Sequence, residues 1–250
     1  MIWSYLGDVL AAAVSTVGSG ARAVGDAATD TLGRVIESVR TVLAGDPETR
    51  RRVAFSIAMI ALSAKMAKAD GVVTHDEVAA FERIFEIPDE ERTNVARLYD
   101  LAKQDVAGFE GYAAQLAGLC ENPEGHCPVL IDILEGLFHI AKADGVLHDA
   151  EVAFLARIGE IFGVDEDQFA SILARHVVEG EGDPYAVLGL SPEADFDAVR
   201  SRYRKLVAAE HPDRVLARGL PQEFVAIATE RVAAYNEAYE RITRIEKAAS

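Results

Sequence analysis

Three groups of residues in this chain have the types and spacing that chemistry needs. His211-Pro212-Asp213 follows a stretch carrying Arg200, Arg202, Arg204 and Lys205. Ala67-Lys-Ala-Asp-Gly71 recurs as Ala141-Lys-Ala-Asp-Gly145, and an acid follows each copy at the same distance, Glu77 and Glu151. Cys120, His126 and Cys127 form the one Cys/His cluster. A zinc site needs a fourth ligand, and no second pair stands at the usual spacing, so this cluster reads as a loop with two ordinary thiols. There is no Gly-rich phosphate loop, no GxSxG elbow and no acid–base or nucleophile constellation.

The repeated acidic junction has two readings. In the first, Gly71 and Gly145 take the left-handed conformation that ends a helix, and the following acid caps the next one. Thr74 and Glu77 have capping-box spacing; in the second copy His148 replaces the threonine, and Glu151 alone survives of that pair. In the second, Asp70, Asp76 and Glu77, or Asp144, Asp149 and Glu151, offer oxygen ligands to Ca²⁺ or Mg²⁺. The spacing is not that of an EF-hand. No other cofactor is expected. His139, on an otherwise apolar helix, reads as a core or boundary histidine.

The elements that must hold these residues are helices. Alanine is abundant, strand signals are nearly absent, and apolar residues recur every three or four positions, so the chain is all-α. Residues 1–48 form an N-terminal amphipathic segment and 49–178 a helical pseudo-repeat domain with one junction in each half. The acidic Gly-containing linker is 179–182, and 183–250 is a small module of antiparallel helices. Val53 to Leu62 is too short to span a membrane and reads as a buried core helix.

The net charge of the 250 residues is -16, which argues against a surface built to hold nucleic acid. Its distribution is uneven. From Asp183 onward there are 10 bases and 11 acids, against 15 and 30 before it. Two cysteines build no disulfide framework, and a reducing compartment is the natural reading. Residues 1–17 lack the basic leader of a secretory signal and the apolar run of a spanning helix. They read as an amphipathic helix that docks on another helix or makes peripheral contact with a membrane.

In the last module, Asp183 caps a short helix with Pro184 at its first position, and Gly189 ends it. Asp195 caps a second helix. Its apolar face is Phe196, Val199, Tyr203, Leu206 and Val207, and Arg200 and Arg204 share its other side. Pro212 stops this helix, leaving His211 and Asp213 on a loop. A final helix, about Pro221 to Arg244, packs back.

Two resemblances follow from these residues. The paired Lys-Ala-Asp-Gly junctions, each with a glutamate seven positions after the aspartate, resemble the TerB-like family over roughly residues 50 to 178. Asp183-Pro-Tyr185, Val187-Leu-Gly189, Tyr203-Arg-Lys-Leu206, His211-Pro-Asp213 and Asn236-Glu-Ala-Tyr239 together resemble the J-domain of DnaJ-type co-chaperones. With the insert running to Phe224, the whole resembles the DjlA-type co-chaperones. Arg214 stands where lysine is usual. DjlA-type proteins usually begin with a membrane-spanning helix, and this start does not qualify.

The resemblance implies a module that docks on a DnaK-type ATPase chaperone and stimulates its ATP hydrolysis; the chemistry would stay in the partner, so the chain would not itself be an enzyme. Arg200, Arg202, Arg204 and Lys205 would meet an acidic surface, and His211, Pro212 and Asp213 would reach the partner's ATPase–linker junction. The TerB-like domain would target the protein or select an unknown client, in the cytoplasm or at the cytoplasmic face of the inner membrane. The alternative is a metal-responsive stress scaffold centred on the TerB-like domain.

Overall fold

The computed structural model of the chain describes residues 56–66, 87, 89, 92–104, 109–118, 127–176, 182–217 and 224–249. Residues 1–17, the first junction with Asp70, Asp76 and Glu77, and Cys120 and His126 lie outside them. Among the described residues every regular element is a helix. Residues 56–66 are helical and all buried, as a core helix should be. Then come α1 (Arg92–Gln104), α2 (Phe109–Ala117), α3 (Pro128–Ala141), α4 (Asp149–Ile161), α5 (Glu166–His176), α6 (Pro184–Val187), α7 (Phe196–Ala209), α8 (Pro212–Ala217) and α9 (Phe224–Ala249). None of the described helices is long and apolar enough to cross a membrane.

The organising helix is α3. Pro128 supplies a first residue with its φ already set. Leu130, Ile133, Leu134, Leu137, Phe138 and Ile140 are buried around it, as expected of a helix wrapped on several sides. It ends at the second junction, where Lys142–Asp144 form a 3-10 turn and Gly145 takes φ +89°. Only glycine holds that conformation without strain. Cys127, at the start of α3, is disulfide-bonded, so the expectation of two ordinary thiols does not hold.

The apolar core does not stop at the acidic linker. One cluster joins residues 56–66 and helices α1 to α5 with Val215, Phe224, Ile227 and Ala228 of the C-terminal module. A second lies among α6, α7 and α9, built on Leu188, Val199, Tyr235 and Ile242. Gly136 lets α9 approach α3: a Cβ there would lie 2.9 Å from Met59 Cε and 3.1 Å from the Phe224 ring. At the other end, the Ser171 hydroxyl of α5 donates to the Val187 carbonyl of α6 at 3.2 Å.

A buried ionic cluster fills the seam. Glu135, 2% exposed, is bonded to Arg175 Nη2 and lies 2.9 Å from His176 Nε2. Arg231, from α9, donates through both terminal nitrogens to Asp132 Oδ1, at 3.1 and 3.0 Å, and through Nη1 to Glu210 Oε2 at 2.7 Å. Its Nε lies 3.5 Å from Glu135. Arg175 covers the Tyr235 ring and His176 stacks on Phe138. His139 also faces α9, with Nδ1 3.0 Å from Glu230, and this hydrogen bond holds the Glu230 carboxyl below its usual range.

Burial opposes charge on Glu135. The Arg175 and Arg231 guanidiniums and the His176 hydrogen bond outweigh it and hold its carboxyl well below the ordinary 4.5. For His176 burial wins over the Glu135 hydrogen bond, and its pKa falls below the ordinary 6.5. Both groups bind protons more readily unfolded than folded. Each therefore stabilises the fold above its ordinary pKa and loses that contribution as the pH falls toward its folded value.

Two outcomes follow from this packing. The melting temperature, followed from neutral pH to about pH 3, should drop first below about pH 6.5 and again below about pH 4.5. His176→Gln should remove the first step and keep the second. Phe224→Ala should reduce the unfolding free energy by about 3–5 kcal/mol, measured in urea by circular dichroism. Because the core is shared, both modules should lose stability together.

Candidate functional site

The site is built on α7. The Ala198 N–H donates to Asp195 Oδ1 at 2.7 Å, capping the helix where its sequence predicts. On its inner face Val199 is buried, and Tyr203 stacks on Tyr239 of α9 with ring centroids 4.3 Å apart. The Tyr203 hydroxyl donates to Asn236 Oδ1 at 2.8 Å, and Phe196 stacks on Tyr239 at 6.0 Å. Position 196 meets 239, 203 meets 236, and Glu210 meets Arg231, so the two helices run antiparallel.

All four basic residues of α7, Arg200, Arg202, Arg204 and Lys205, are exposed. The Arg200 guanidinium lies over the Phe196 ring at 5.1 Å and 3.4 Å from Asp197 Oδ1. Arg202 also makes a contact within the module. Its Nε donates to the Leu188 carbonyl at 3.0 Å, pinning the end of α6, where Gly189 turns with φ +64°. Asp183 caps α6 by accepting the Tyr185 N–H at 3.0 Å.

His211 is not on an open loop. α7 ends at Ala209, Glu210 takes the cap position, and α8 begins at Pro212. The His211 carbonyl accepts the N–H groups of Arg214 at 2.8 Å and Val215 at 3.2 Å. His211 therefore stands, exposed, between two helices, with Pro212 and Asp213 in the first turn of the second. Proline stops α7 by lacking an N–H, and the same property suits it to open α8. Proline at a first helical position followed by an acid was the signal for this helix.

The acids of the second junction serve the backbone. Asp144 Oδ1 accepts the Val146 N–H at 2.9 Å, and Glu151 Oε2 accepts the His148 N–H at 2.9 Å. Asp149 lies exposed in the first turn of α4. No group of three His, Cys, Asp or Glu among the described residues is placed to hold a metal ion.

The residues that spacing alone did not single out are Asp132, Glu135, Arg175, His176, Glu210 and Arg231. The one local signal was a pair of acids, three apart, on an otherwise apolar helix.

Comparison with known proteins agrees with this arrangement. Residues 56–174 match the family model described as tellurite resistance protein TerB, and residues 183–250 match the DnaJ domain. The chain is 29% identical over 222 residues to the co-chaperone protein DjlA of Photobacterium profundum, covering 78% of each chain. It is 27% identical over 201 residues to that of Coxiella burnetii, covering 72% of this chain and 73% of the relative. It is 25% identical over 221 residues to that of Escherichia coli strain K12, covering 78% and 80%. No solved structure matches the chain. The chain thus carries a region matching TerB followed by a C-terminal region matching the DnaJ domain, and over most of its length it is similar to proteins named co-chaperone protein DjlA.

Proposed function

We propose that the chain docks through α7 and the His211 turn on a DnaK-type chaperone and stimulates its ATP hydrolysis, while the TerB domain targets the protein or selects its clients. The observation that carries this reading is the placement of exposed His211 at the end of the helix that exposes Arg200, Arg202, Arg204 and Lys205, inside a DnaJ domain. The four cations suit an acidic partner surface, where complementary charge speeds association and makes it salt-sensitive. The turn, reached once α7 is seated, would bias the partner between conformations rather than perform chemistry. Bond cleavage stays in the partner's nucleotide site.

The test is a single-turnover ATPase assay of a DnaK-type chaperone with the purified chain. The wild type should raise the hydrolysis rate, and His211→Gln should abolish the increase while its circular dichroism stays unchanged. Arg204→Ala should raise the half-saturating concentration by ~3–10-fold and weaken its dependence on salt. Equal stimulation by wild type and His211→Gln overturns the proposal.

A further inference from the structure

The His211 turn is flanked by two anchors, and both reach the TerB domain. Upstream stands Glu210, whose side chain is 11% exposed and bonded to Arg231 at 2.7 Å. Arg231 is itself held by Asp132, 3% exposed, and lies beside Glu135. Both acids belong to α3. Downstream stands Val215, 1% exposed and part of the apolar cluster that also contains α3 and residues 56–66. Its N–H is bonded to the His211 carbonyl. Between the anchors, His211 and Arg214 face solvent.

The anchors are stiff for physical reasons. If Glu210 moved away from Arg231, a nearly buried carboxylate would lose its guanidinium, and an ion left buried without its partner is costly. If Arg231 moved, Asp132 would also lose its guanidinium. Displacing Val215 would open a hole in a shared core. The carboxylates that fix Arg231 from the far side are not in the DnaJ domain. A J-domain held only by its linker would lack them.

We infer that Arg231 is a positioning residue for the His-Pro-Asp turn, and that Asp132 of the TerB domain holds it in place. The TerB domain then completes the activating surface as well as addressing the protein. The activity arm of this inference rests on the function proposed above; the structural arm does not.

The experiment uses the full chain with Asp132→Asn, Glu210→Gln and Arg231→Lys. Amide hydrogen exchange at Arg214 and Val215 reads the turn directly. The ATPase assay separates maximal stimulation from half-saturating concentration. In Asp132→Asn and Glu210→Gln, exchange at the two amides should rise by ~10-fold. Maximal stimulation should fall by ~3–10-fold, with half-saturation changed by less than about twofold, because the cations of α7 are untouched. Arg231→Lys, which keeps the charge, should retain most of the stimulation. A purely structural role would not lower the maximum alone while the protein stays folded.

If Asp132→Asn fails to fold, Glu210→Gln, at the edge of the cluster, decides the matter. Folded variants with wild-type exchange at Arg214 and Val215 and wild-type maximal stimulation overturn the inference. Looser exchange in the variants, with a wild type that never stimulates, sinks the chaperone reading and leaves the positioning intact.

Discussion

A carboxylate buried in an apolar helix cannot be left alone. Glu135 lies on α3 among leucines and isoleucines, and its charge survives there because cations are brought to it. Arg175 comes from α5 and Arg231 from α9, and His176 of α5 adds a hydrogen bond. Supplying them requires all three helices to meet at one depth and register. Such a cluster is not strong evidence of stability, since well-packed apolar residues often do as well. Its contribution here is geometric: few arrangements of α3, α5 and α9 satisfy Asp132, Glu135 and Glu210 together.

This constraint changes what the acidic linker means. Charge and composition separate the chain at residues 179–182, yet packing does not separate there. Phe224 enters the core of the TerB domain beside Gly136, and Ser171 of α5 reaches the carbonyl of Val187. Among the described residues, the acids of α3 and the basic face of α7 therefore belong to one packed body. The basic face stays in solvent because the cation that meets the TerB acids is Arg231, on a different helix.

Much of the local structure was legible in the sequence, because caps and turns act within a few residues. Asp183, Asp195 and Glu151 were recognisable as caps, Gly145 as a left-handed stop and Gly189 as a helix end, from type and spacing. The register of α7 followed from its apolar spacing, and that register put Tyr203 and Phe196 against α9. One local reading fell short: Pro212 was read as a stop alone, and it also begins α8. The contact of the exposed Arg202 with the end of α6 left no local mark in the sequence.

By itself, then, the sequence determined the all-helical class, the repeated junction, the helix ends and the identity of the C-terminal module. Each depends on interactions spanning a turn or so of helix, which leave a periodic or positional mark. The tertiary structure decided which charges pair. Arg231 and Asp132 are 99 positions apart, and His176 and Glu135 are 41 apart. With 41 acids and 25 bases in the chain, no spacing rule selects those partners. Selection comes from burial, which makes an unpaired charge costly only at the few positions that packing removes from water.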